Sequence, residues 1–345
     1  MKNTLVLFIL IFISLPLYGV AKFSDRYFAA GCSLYNYQGV LIKNFPGSIC
    51  VYLEDGRVVS GTDKMIRLIS PDREILWEKN GNYHHQINLS PDGKRIYALS
   101  SEVREEKGTS VRYDWFVIFD LDGNVLAENS IRHLEKDFLD NNISLFFQDL
   151  FQNTTKERSH FNSIFEIGDV KVNPAVPAIA KGNVIVNSLF LGVYILSPDL
   201  KKVLHHFMIP GSAGHLVHDV QILSDGNILI FNNESNPVDA PYHSSALQIL
   251  DPVSLKSIYS FSGEKGIPLY SSHCGGAQKL DEEFFLYSHM VNGAYIFSRK
   301  TGKIVKSIFE PNVIFGRTNP VQNLRLVKLS PTFISKHLSG KQGRD

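Results

Sequence analysis

One phrase recurs along this 345-residue chain, and its recurrence limits the fold more than any other feature. It is fullest at residues 214–233, GHLVHDVQILSDGNILIFNN: a histidine-aspartate pair, an apolar-rich strand, an Asp-Gly turn and a second strand. HHQINLSPDGKRIYAL from His84 and HFNSIFEIGD from His160 repeat it. SICVYLEDGRVV from Ser48 and GGAQKLDEEFFLY from Gly275 repeat it without the histidine in register. Self-similarity at a period of about 45 residues, with two hairpin turns in each period, fits a propeller blade better than an open solenoid.

Five units follow one another at residues 48–79, 84–129, 160–207, 218–261 and 275–309. Residues 31–45 carry only the back half of the phrase, and VQNLRLVKL at 321–329 carries only a front half. If the two halves share a blade, they complete a sixth unit and remove the open sheet edge that invites aggregation. The chain is therefore expected to be all-β: a six-bladed β-propeller closed by N- and C-terminal strands in one blade, with 321–329 lying beside the strands of 31–43. A short helical insertion is expected at about 130–152, where Leu134, Phe138, Leu145, Phe146 and Leu150 recur at roughly helical intervals. It would act as a lid over the histidine-bearing face or pack on the blade rim.

Composition sets the remaining bounds. With 44% hydrophobic and 20% charged residues the chain has the means for a packed core. A net charge of +1 without a basic run gives no footprint for nucleic acid, so no nucleic-acid partner is expected. Residues 1–21 combine Lys2, an apolar run from Leu5 to Leu17 and small residues ending at Ala21. That order fits a secretory signal peptide, and the run is short beside the ~20 residues of a membrane span. The expectation is an exported protein, periplasmic or extracellular, with one domain at 22–345. Membrane association is expected only if the N-terminal segment is retained as an anchor. Cys32, Cys50 and Cys274 are too few for a disulfide scaffold, although export would oxidise one pair and leave one thiol. No sequence feature sets an oligomeric state.

Function hangs on the histidines. His85, His160 and His218 each lie eight residues before a glycine, Gly93, Gly168 and Gly226. They read as one repeat position on successive innermost strands, which line a propeller's central channel. His84 is expected on the opposite face of a regular strand from His85. Asp219, next to His218, reads as structural.

These phrases, with His160-Phe161-Asn162-Ser163-Ile164 and His218-Asp219 followed by Asp225-Gly226-Asn227 as the most specific, resemble the arylsulfotransferase family over most of the mature chain. The resemblance implies transfer of a sulfuryl group from a phenolic sulfate ester to a phenol, without cofactor or metal, through a sulfohistidine. It assigns the nucleophile to His218, supporting catalytic roles to His160 and His85, and substrate contact to Asn162. The partner it implies is a small aromatic substrate. His273, beside Cys274 at the expected channel mouth, is added as a substrate-binding candidate. The chain departs from the family where an arginine clamps sulfate oxygens, since Leu189 stands there, and where Ser244-Ser245 replaces a Ser-Arg. Leucine offers no donor to an oxyanion. Two other readings stay open: a metal-binding propeller with a histidine-lined channel, whose ligand types suit zinc or copper, and a non-catalytic propeller that binds a ligand or a protein.

Overall fold

The computed structural model describes residues 23–134, 136, 155–157, 159–188, 192–209, 217–235, 244–264, 267–268, 271, 275–289, 293–308 and 325–338. The expected signal segment and most of the expected helical insertion lie outside these residues, as do Leu189, His273 and Cys274.

Near its start the chain forms three short strands, β1 (Tyr27–Ala30), β2 (Ser33–Tyr35) and β3 (Leu41–Asn44). Blade 1 is β4 (Ile49–Tyr52), β5 (Val58–Gly61), β6 (Met65–Ile69) and β7 (Ile75–Asn80). Blade 2 is β8 (Asn82–Leu89), the long pair β9 (Arg95–Glu106) and β10 (Thr109–Asp120), and β11 (Val125–Ser130), with β12 (Thr155–Glu157) added beside the far end of β10. Blade 3 is β13 (Phe161–Glu166), β14 (Val184–Ser188), β15 (Gly192–Leu196) and β16 (Val203–Phe207). Blade 4 is β17 (Val217–Ile222), β18 (Ile228–Ser235), β19 (Ser244–Leu250) and β20 (Ser257–Phe261). A two-residue ribbon, β21 (Gly263–Glu264) with β22 (Ile267–Pro268), precedes blade 5, which is β23 (Gly276–Lys279), β24 (Phe284–His289), β25 (Gly293–Ser298) and β26 (Lys303–Ser307). The last strand, β27 (Arg325–Val327), joins the first three in the order β27-β1-β2-β3. The fold is a six-bladed β-propeller.

Why the sheets close into a ring is written in their alternation. Each strand sends successive side chains to opposite faces, so a blade buried on both sides feeds two apolar layers. The buried side chains fall into six clusters, one at each blade interface: Val59 with Ala98, Phe116 with Phe161, Val193 with Val220, Phe231 with Tyr287, Phe284 with Phe28, and Tyr27 with Tyr52. In β1, Tyr27 and Ala29 face blade 1, whereas Phe28 and Ala30 face blade 5.

Closure differs in one detail from the expectation. The closing strand pairs with β1, Tyr27 opposite Val327 and Ala29 opposite Arg325, one strand earlier than the stretch 31–43. The start of the chain therefore contributes three strands and its end one. β1 was missed because YFAA is buried throughout and carries no polar alternation to announce a strand. After β27 a helical turn, Pro331–Phe333, capped by Ser330, packs on blade 1. There Gly56 has φ +83°, and a Cβ on it would fall 2.1 Å from the Phe333 ring, so the Asp-Gly turn of this blade needs its glycine twice over. A Cys32–Cys50 disulfide ties the closing blade to blade 1.

Candidate functional site

Three neighbouring innermost strands, β8, β13 and β17, each carry a β-bulge, and His85, Asn162 and His218 sit at those bulges. In β17 the pairing runs Val217 with Asn232 and then Asp219 with Phe231, leaving His218 as the extra residue. In β13 it runs Phe161 with Ser188 and then Ser163 with Asn187, leaving Asn162. In β8 it runs Tyr83 with Ser100 and then Ile87 with Ala98, so His84, His85 and Gln86 together oppose one residue. Bulges re-aim side chains and cluster beside functional sites. His85 also adopts φ +56°, a left-handed conformation costly for a side-chain-bearing residue and sustained only by its surroundings.

The hydrogen-bond register corrects the expectation that the three histidines share one repeat position. The backbone N–H groups that close the ends of the three inner strands are those of Ser90, Ile167 and Leu223, each donating to the partner strand's carbonyl. His85 and His218 lie five residues before these points, and so does Asn162, whereas His160 lies two residues further out. Gly168 misled the count because the blade 3 connection turns much later, with Gly182 N–H donating to Ile167 O. His160 nevertheless reaches the cluster. Its ring stands at 76° to that of His85 with centroids 4.7 Å apart.

Each imidazole is held by a specific partner. His218 Nδ1 lies 2.6 Å from Asn233 Oδ1, and Asn233 Nδ2 donates to Ser271 O at 2.8 Å. Since the Asn233 amide presents its oxygen, His218 donates Nδ1–H and a neutral ring keeps its lone pair on Nε2. Ser245 Oγ donates to Asn233 O and Ser271 N–H donates to Ser245 Oγ, locking that support. His160 Nδ1 donates to Glu157 Oε2 at 2.5 Å. Glu157 is delivered by β12, which runs parallel to the far end of β10 with Glu157 opposite Arg112. Arg112 Nη1 donates to Glu157 Oε1 at 2.7 Å.

His84 does not turn away from His85, because the bulge and the positive φ break the alternation assumed from the sequence. The two Nδ1 atoms are 2.6 Å apart, and His84 Nε2 lies 3.1 Å from both Asp114 Oδ1 and Ser100 O. Asp114, fully buried, also accepts from Ser159 Oγ at 2.8 Å and from Phe161 N–H at 3.1 Å.

Burial drives the His84 pKa below its ordinary value, against the opposing pull of Asp114. Burial drives that of His85 well below, reinforced by the positive charge of His160, His84, His218 and Arg112 when those groups are protonated. Burial pushes the Asp114 carboxyl up, but the hydrogen bond from His84 and the charge of Arg112 prevail and hold it low. Glu157 follows the same pattern, with the His160 hydrogen bond and Arg112 outweighing burial. Ionised carboxylates thus stand behind His84 and His85, whose lowered values favour neutral rings, the state in which nitrogen is a base or nucleophile.

Asn162, expected as a substrate contact, has one side-chain atom engaged within the protein. Its Nδ2 donates to Val217 O at 3.1 Å, one residue before His218, so it braces the strand that carries His218. Its Oδ1 is buried and has no hydrogen-bond partner among the described residues. Asp219 is structural, as expected: it accepts from Arg325 Nη2 at 2.7 Å, from Ala277 N–H at 2.9 Å and from Gln86 Nε2 at 3.3 Å, joining blades 2, 4, 5 and the closing blade. A void of about 30 Å³ is bordered by His85, Gln86, Asn88 and Arg325 among others, so Arg325 of this network and His85 share one cavity wall. No three His, Cys, Asp or Glu side chains among the described residues are arranged to hold a metal ion.

Sequence reasoning missed Arg112, Asp114, Glu157, Asn233 and Arg325. Arg112 and Asp114 alternate in RYDWF on one face of β10, a period-two signal that was readable. Glu157 lay in a stretch without a repeat phrase.

No family model matches the chain, and no curated protein matches it. Among solved structures it is similar to a Bacteroides caccae protein described as of unknown function, at 13% identity and a TM-score of 0.52, over 84% of this chain and 96% of that one. That likeness is one of fold.

Proposed function

We propose that the histidine cluster at the channel transfers a sulfuryl group between phenols, with His218 as the covalent carrier, in the manner of the arylsulfotransferases that the sequence resembles. The observation that carries this reading is the His218–Asn233 hydrogen bond, which holds the ring's proton on Nδ1 and so gives its neutral form a lone pair on Nε2. Nε2 of His218 attacks sulfur, an N–S bond forms, and the S–O bond to the donor phenol breaks with its electron pair leaving on oxygen. In the second half an acceptor phenol gives up its proton, its oxygen attacks the same sulfur, and the N–S pair returns to His218. His85 and His160 pass the proton between the two phenol oxygens, help typically worth 10²–10⁴-fold. Asn162, whose Nδ2 braces the His218 strand, is kept as a substrate contact on the resemblance, and His273 is proposed as one on its sequence position alone.

Export also belongs to this reading. The apolar N-terminal run and the Cys32–Cys50 disulfide both fit an oxidising compartment, where sulfate esters arriving from outside are met first. The kinetic test is transfer from 4-nitrophenyl sulfate to phenol. Ping-pong kinetics with activity abolished by His218→Asn is expected; no transfer with any of a panel of aryl sulfates would leave a binding propeller.

A further inference from the structure

We propose that His84 is a positioning residue, the middle member of an Asp114–His84–His85 relay that fixes His85 with its proton on Nδ1 and makes Nε2 of His85 the base for the acceptor phenol. The proposal rests on the transfer reading above, which names His85 only as one of two proton carriers.

The direction of the relay follows from its ends. Among the described residues His84 Nε2 has two hydrogen-bonding neighbours, both acceptors, Asp114 Oδ1 and Ser100 O, each at 3.1 Å, so it must carry hydrogen. A neutral His84 then has its lone pair on Nδ1. At 2.6 Å from that atom, His85 Nδ1 must be the donor. The remaining basic nitrogen of His85 is Nε2. Asp114 does not drift from this arrangement, because Ser159 Oγ and Phe161 N–H hold its other oxygen.

The backbone supports the same assignment. An ordinary strand would send His84 and His85 to opposite faces. The bulge on β8 and the left-handed φ of His85 bring them together at a conformational cost that packing alone would not require.

The relay gives the second half of the transfer a defined proton path. The acceptor O–H proton passes to His85 Nε2 as its oxygen bonds to sulfur and the N–S bond to His218 breaks. The imidazolium that forms is stabilised through His84 by ionised Asp114. In the next donor half the same proton goes to the departing phenol oxygen. The groups that act on His85 are His84, His160, His218 and Arg112, with Asp114 behind His84 and Glu157 behind His160, and the cations among them oppose a charge on His85. A base kept neutral matters most for weakly acidic acceptors, with pKa near that of tyrosine, ~10.

Two measurements test the relay. Nitrogen-15 imidazole spectra of the full-length protein at pH 7 should place the His85 proton on Nδ1, and His85 should stay neutral at pH ~6.5, where an unperturbed imidazole is half protonated. His85 protonated on Nε2 instead would overturn the relay, whatever the activity. In single-turnover kinetics, His84→Gln should slow discharge of sulfo-His218 to phenol by about 10²-fold. The loss should shrink for more acidic acceptors and at higher pH, while loading from 4-nitrophenyl sulfate, whose leaving group needs little proton help, falls much less. Equal slowing of both halves, independent of acceptor and pH, would reduce His84 to a packing residue. If the wild-type protein takes no label, the transfer reading fails while the spectra still decide the relay.

Discussion

His218 and Asp219 are neighbours on one strand, yet they belong to two networks built on opposite electrostatic principles. Asp219 is locked to Arg325 and braces blades 2, 4, 5 and the closing blade through a carboxylate–guanidinium pair and backbone and amide donors. His218 joins a cluster in which buried imidazoles rest on Asn233, Glu157 and, through His84, on Asp114. The first network fixes where the blades stand. The second gathers titratable imidazoles and their carboxylates between the blades that the first has fixed. The bulge at His218 lets one strand serve both, because it re-aims a single side chain while Asp219 keeps its place in the ladder.

The contrast is broken most severely at the closing blade. Deleting residues 321–345 removes β27, Arg325 and the buried Phe333 and Leu338, and reopens the ring. Loss of a cooperative melt is expected; a truncated protein that melts like the intact one would refute closure by the chain's end.

The next largest effect is expected at Asp219. Asp219→Ala leaves Arg325 partly buried without its carboxylate and should cost about 3–5 kcal/mol in chemical denaturation. His218→Asn, one residue away, should cost about 1–3 kcal/mol through loss of the buried imidazole's hydrogen bond to Asn233 Oδ1. Equal losses would mean that the two networks are one.

A smaller effect separates the networks by pH. The folded pKa values of His84 and His85 lie below the unfolded value, so the unfolded chain binds more protons as pH falls. Their stabilising contribution is therefore complete above about pH 6.5 and is lost below it, at a limit of ~1.4 kcal/mol per pH unit for each group. Asp114 and Glu157, with lowered carboxyl values, add to the loss only below about pH 4. Denaturation midpoints should fall between pH 7 and 5, and His84→Gln with His85→Gln should flatten that fall. A wild-type profile flat from pH 7 to 5 would contradict the buried neutral imidazoles.

What the sequence made legible follows the same division. The Asp-Gly turns and alternating strands announced the blades because turn chemistry and two-sided burial are local requirements. His85 and His218 were visible because their strands close at the turns the glycines mark. His160 was placed two residues off because the blade 3 excursion delays its turn. His84 was set aside on an alternation that a bulge suspends, and no local residue pattern encodes a bulge of this kind. Glu157 and Arg325 arrive from outside the repeat, one on an added parallel strand and one on the closing strand. Their places follow from topology, which the phrase alone did not carry that far.

The most direct test of the central claim is peptide mapping by mass spectrometry after brief incubation of the protein with 4-nitrophenyl sulfate under alkaline quench. One added SO₃ group on the peptide containing His218, discharged by phenol and absent in His218→Asn, is the predicted result. An unmodified His218 under every aryl sulfate tried, or the added group on another residue, would contradict it.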